Sequence, residues 1–178
     1  SLIIENFKGC KMHSVNSDRK VLDIEIPVSR KKYIVSKTDL KGIITYGNDY
    51  FTEIAGYTEA ELIGQPHNIL RHPDMPRIVF KLAWDSIKAG IPIFALVKNL
   101  SKDGRYYWVV AEIVARRDDL TNQIIGYTAY RTGATQKAID TIEPIYAKLI
   151  EIEKISGMKG SEDYLTGYLE EAGMTYDQ

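Results

Sequence analysis

The sequence predicts an α+β domain: a five-stranded antiparallel sheet with short helices and one long helix on one face, flanked by an N-terminal extension and C-terminal helices. Three observations predict it. Two short β-rich runs are joined by a turn, a stretch of capped helical segments follows, and three longer strand-like runs separated by tight turns close the pattern. The expected boundaries are an extension or cap over residues 1–32, the sheet domain over 33–135 and a helical addition over 136–178.

Residues 33–36 and 43–46 are strand-like runs on either side of the turn-rich Thr38 to Gly42, which reads as a hairpin. Asn48 or Asp49 can cap a helix that runs to Ala55 and ends at Gly56. Thr58-Glu59-Ala60-Glu61 is a capping box for a second helix, ended by Gly64. A third helix is expected over 77–89, where Ile78, Leu82 and Ile87 recur at helical spacing before Gly90. Strands follow at 93–100, 105–115 and 124–131. After Thr135 an apolar stripe of Ile139, Ile142, Tyr146, Leu149, Ile152 and Ile155 predicts a long helix, with Pro144 kinking or restarting it. Gly157 to Ser161 marks a break before a last amphipathic segment.

With 44% hydrophobic and 26% charged residues the chain can bury a normal core, and its net charge of −1 gives no electrostatic reason to expect nucleic acid as a partner. No apolar run approaches the roughly 20 residues that span a bilayer, so no direct membrane insertion is expected. The single cysteine, Cys10, permits no internal disulfide and fits a reducing compartment, so a cytoplasmic protein is expected.

The segment Gln65-Pro66-His67-Asn68-Ile69-Leu70-Arg71-His72-Pro73-Asp74-Met75-Pro76 places three prolines in eleven residues, which excludes regular structure and predicts an ordered loop presenting polar groups. His67 and His72 stand five apart with no cysteine and no second ligand pair at helical spacing, so no zinc site is expected. Arg71, His72 and Asp74 precede a helix N-terminus, and guanidinium and helix end both favour an anionic or carbonyl-bearing ligand. The plainer alternative is an Arg71–Asp74 ion pair with Asp74 as the helix cap. Asn99 shares a strand face with Ile93, Ala95 and Val97. If that face looks inward, its amide must be satisfied in the core, by a strand end or by the edge of a heteroaromatic ring. Trp84 reads either as core or as a stacking residue, and Asn48 either as a helix cap or as a ligand contact. No nucleophile elbow, phosphate-binding glycine loop or paired carboxylates appear, so no enzyme and no catalytic residues are expected. On the strand 105–115 both faces are largely apolar. With Phe94 and Leu96 they predict an outer patch covered by the N-terminal segment, a second copy, a partner or the chain's own terminal helices.

Gln65-Pro66-His67-Asn68, Arg71-His72-Pro73-Asp74-Met75-Pro76 and Val97-Lys98-Asn99 closely resemble the flavin-binding PAS domains of bacterial energy-taxis (aerotaxis) receptors, over about residues 33–135. The overall build resembles the short, separate PAS subunit of a bipartite energy-taxis system. The resemblance implies a cytoplasmic redox sensor that binds FAD noncovalently, with Asn48, Arg71, His72, Asp74, Trp84 and Asn99 inheriting the binding role. It further implies a membrane-bound methyl-accepting transducer as partner, recruitment by it to the inner membrane, and a PAS homodimer. One position departs: those receptors carry a tryptophan where this chain has Ile93. Related PAS domains are associated with haem, which keeps His67 and His72 as alternative axial ligands of a gas or redox sensor. A cofactor-free interaction module is a further alternative.

Overall fold

The computed structural model describes residues 19–171. Residues 2–4 and Cys10 lie outside them. A hairpin of β1 (Ile34–Thr38) and β2 (Ile44–Gly47) leads into α1 (Asp49–Ala55), α2 (Glu59–Leu62), a 3₁₀ turn (His67–Leu70) and α3 (Arg77–Lys88). Then come β3 (Ile93–Leu100), β4 (Tyr106–Arg117), β5 (Ile124–Gly133) and α4 (Gln136–Glu171). The five strands form one antiparallel sheet in the order β2-β1-β5-β4-β3. The α+β architecture expected from the sequence is the one observed.

Local chemistry fixes the element ends. The Asn48 side chain accepts from Phe51 N at the start of α1, Gly56 ends it at φ 76°, and Thr58 Oγ1 accepts from Glu61 N to open α2. The proline-rich segment is less irregular than expected, because His67–Leu70 closes a 3₁₀ turn that needs no helical conformation at the flanking prolines. Pro144 lies inside α4 on its exposed side, and the helix runs past it. The interruption is at Gly157, whose φ of 69° and ψ of −171° only glycine adopts readily.

Period-two alternation along the strands gives the sheet an inner face that packs under α1 to α3. Register brings Ile34, Arg131 and Ala111 into one row, Ser36, Ala129 and Ile113 into a second, and Asn99 and Tyr107 into a third. Phe51, Ile54, Leu62, Leu70 and Val109 make the main core beneath the short helices. Residues 22–29 run as a strap: Glu25 bridges Tyr106 in parallel and Gly133 N donates to Ser29 O. The strap lies so close that a Cβ at Gly133 would stand 2.1 Å from Val28 O.

The outer face is covered in part by α4. Trp108, only 4% exposed, stacks on Tyr146 at 6.3 Å, and the Tyr146 hydroxyl donates to Leu96 O at 2.7 Å. Ile139, Leu149 and Leu165 complete this second core together with Met75, Ile78 and Val79, so α4 spans from the outer face to α3 around the edge strand β3. Phe94 remains 64% exposed. The chain's own helix therefore covers the Trp108 end of the outer patch and leaves the Phe94 end open. Among the described residues no helix is long and apolar enough to cross a membrane.

Candidate functional site

On the inner face the sheet presents polar groups to a core otherwise built from aliphatic and aromatic side chains. Asn99 is 5% exposed and its side chain hydrogen-bonds with the hydroxyl of Tyr107, its register partner. Burial pushes the Tyr107 phenol well above the ordinary tyrosine range, so it stays protonated. Arg131, 6% exposed, donates through Nη1 to Ser36 Oγ at 3.0 Å and through Nη2 to His67 Nε2 at 2.7 Å. A guanidinium only donates, so His67 Nε2 is the accepting nitrogen and Nδ1 carries the proton. Burial, reinforced by the Arg131 charge, lowers the His67 pKa to about 3. Burial lowers that of Arg131 to about 10. One wall is aromatic: Trp84 of α3 meets Tyr127 of β5 at 5.3 Å, and Ile93 packs in the same cluster.

The residues singled out in the sequence divide into three places. His67 and Asn99 face the main core, and Trp84 packs with Tyr127 in a separate cluster. Arg71, His72 and Asp74 instead wrap the free edge of β3. Arg71 pairs with Asn99 through an isolated antiparallel bridge, and Lys98 N donates to Met75 Sδ, so the loop satisfies an edge that would otherwise be open. His72 Nδ1 accepts from Asp74 N, and its ring meets Tyr106 edge-on at 6.2 Å. Asp74 pairs with Lys98 Nζ at 2.9 Å, which corrects the expected Arg71–Asp74 ion pair. The Arg71 guanidinium lies over the Phe80 ring and lines a cleft of about 370 Å³ with Arg77, Glu153 and Lys154.

Asp74 does not cap α3 either. The two carboxylate oxygens of Glu153, from α4, accept from Arg77 N and Ile78 N at 3.0 Å each. The anion expected at this helix end is thus the chain's own. Asn48 is likewise engaged: Oδ1 accepts from Val35 N and Phe51 N, and Nδ2 donates to Tyr33 O. The two histidines do not face a common space, since His67 meets Ser36 and Arg131 while His72 meets Tyr106 and Asp74. Among the described residues no group of three or more histidine, cysteine or acidic side chains could hold a metal.

Arg131, Ser36 and Tyr107 were not singled out in the sequence. A usable signal was present, because Tyr127, Ala129 and Arg131 alternate onto one strand face and an arginine on an apolar inward row calls for explanation.

Both buried imidazoles make the fold acid-sensitive. Burial and the Lys98 charge lower the His72 pKa to about 4. An unfolded chain protonates both near 6.5, whereas the folded one stays neutral until about 3 and 4. Stability is therefore full above about pH 6.5 and falls as pH drops toward the folded values. For His67 alone the expected loss between pH 7 and pH 5 is about 2 kcal/mol. Urea unfolding across that range measures it, with His67→Gln expected to flatten the acid limb. Stability that holds level or rises in acid would contradict the buried neutral imidazoles.

Residues 44–130 match the family model described as the PAS fold. The aerotaxis receptor of Escherichia coli (strain K12) is 43% identical over 123 residues, covering 69% of this chain and 24% of the receptor. The nitrogen fixation regulatory protein of Klebsiella pneumoniae is 29% identical over 86 residues, covering 48% of this chain and 17% of that protein. The chain thus spans a quarter or less of these curated relatives. Among solved structures, a light-oxygen-voltage domain studied with a flavin analogue superposes with a TM-score of 0.55 at 19% identity, over 62% of this chain and 82% of that one. A PAS domain from Colwellia psychrerythraea gives 0.50 at 25% identity, over 58% of this chain and 87% of that one.

Proposed function

We propose, starting from a chain that carries a PAS domain, that it is a redox sensor of the energy-taxis type. It holds FAD noncovalently on the inner face of the sheet and signals to a membrane-bound methyl-accepting transducer. The observation that carries this reading is the donor set of the inner face. A buried amide, a protonated phenol, a neutral imidazole and a guanidinium lie on the inner face of the sheet, and the Trp84–Tyr127 pair forms a separate aromatic cluster further along the same face. Such a set fits the carbonyl and nitrogen edge of a flavin ring and its flat face. The name of the E. coli relative supports the aerotaxis setting, and the flavin analogue studied with a light-oxygen-voltage domain of the same fold supports the ligand class.

In this arrangement Asn99 and His67 meet the polar edge of the ring, and Trp84 with Tyr127 packs its face, in place of the tryptophan missing at Ile93. Arg71, His72 and Asp74 hold the loop on β3, and Asn48 holds β1 to α1. Bound flavin supplies a reversible two-electron couple, so a sensor needs no catalytic base. The path from the inner face to the output runs through the loop and α3 to Glu153 and α4.

Titrating the apo protein with FAD and following flavin fluorescence tests the assignment. Wild type is expected to bind, and Asn99→Ala to bind about tenfold more weakly, the loss of roughly 1.4 kcal/mol from one buried hydrogen bond. A wild type that takes up no FAD would favour the cofactor-free module. That module predicts lost stability in Asn99→Ala without any change in binding.

A further inference from the structure

We infer that Arg131 is the charge receptor of this site: a cation held in the core to meet the negative charge that a bound redox-active ring gains on reduction, and so to set its reduction potential. This rests on the flavin reading above. The support is the mismatch between the cation and its surroundings. β1 offers Ser36, the 3₁₀ turn offers neutral His67, α1 offers the Phe51 ring at 5.8 Å, and β4 offers the protonated Tyr107. Among the described residues no carboxylate lies within ion-pair distance of Arg131.

Burying a cation is costly unless an opposite charge meets it, and here the fold supplies only neutral acceptors. The fold does not need the guanidinium to satisfy these acceptors, because Ser36 Oγ and His67 Nε2 lie 3.0 Å apart and can bond each other. A group that is costly in an apolar core and dispensable to its neighbours is explained by what it does for a ligand. Oxidised flavin is neutral. When it takes up two electrons from an external reductant and one proton from solvent, it ends with one net negative charge on the ring. A fixed guanidinium stabilises that form over the oxidised one and raises the potential.

The test compares wild type, Arg131→Met and Arg131→Lys in two measurements. Melting of the apo proteins is expected to show Arg131→Met at or above wild type. Spectroelectrochemical titration of the three proteins at saturating FAD, with dithionite as reductant, reads the potential separately from the weaker binding that loss of the Arg131 donor brings. In Arg131→Met the preference for reduced flavin should fall at least tenfold, a shift of about 30 mV to more negative potential for a two-electron couple. Arg131→Lys, which keeps the charge without the planar fork, should restore most of it. An apo Arg131→Met that melts below wild type or fails to fold would make Arg131 a structural residue and overturn the inference. So would a potential equal to wild type, and in either case the flavin assignment would stand. If wild type takes up no FAD, the assignment fails and the inference with it.

Discussion

Trp108→Glu is expected to lower stability by about 4 kcal/mol or more, the combined cost of losing a buried aromatic and burying a carboxylate. The indole is 4% exposed, stacked on Tyr146 and packed with Ile139 and Leu149. Lys98 Nζ, 5.8 Å from the indole ring, is the cation that could offset a new carboxylate, but it is already paired with Asp74. Loss of the stack also removes the geometry in which Tyr146 donates to Leu96 O. The helix α4 should therefore come away from the sheet first, seen as early proteolytic cleavage within Gln136–Glu171 and as an earlier thermal transition. A variant with wild-type stability that lost only self-association would show instead that this face is an interface between molecules.

Glu153→Ala is expected to cost about 2 kcal/mol, at the upper end of what a helix cap contributes. One carboxylate, its side chain 8% exposed, satisfies Arg77 N and Ile78 N, lies 3.5 Å from Arg77 Nε and accepts from Ser161 Oγ at 3.1 Å. Its negative charge also lies at the positive end of the α3 dipole. Removing it frees the start of α3 and the joint at Gly157 together. Amide hydrogen exchange should rise at Arg77, at Ile78 and along the part of α4 after Gly157. Unchanged exchange at those amides would contradict the cap.

Much of the fold was legible because its signals are local. Asn48, Thr58, Gly56 and Gly64 mark helix ends by their own chemistry, and strand alternation puts Asn99 on one face with Ile93, Ala95 and Val97, which the structure shows to be the inner one. Contacts between distant segments were not legible. Glu153 stands 76 and 75 residues from the amides it caps, and nothing in an amphipathic helix says which carboxylate will turn to another helix. Asp74 lay beside Arg71 in sequence but pairs with Lys98, because the loop crosses the β3 edge and carries Asp74 to the side on which Lys98 emerges. Arg131 ends the strand expected at 124–131, a position where an arginine is usually solvated. Register with Ile34 and Ala111 puts it in the core instead. Of the four donors, His67 comes from the proline-rich loop and Asn99 from the Val97-Lys98-Asn99 motif on β3, whereas Tyr107 and Arg131 join them only through the sheet register.

The visible absorption spectrum of the purified full chain, recorded in air and again after dithionite, tests the central claim most directly. The account predicts the bands of an oxidised flavin, present as isolated or after addition of FAD, bleached on reduction and restored by air. A preparation that stays colourless after FAD is added, or one that shows the Soret band of haem, would contradict it.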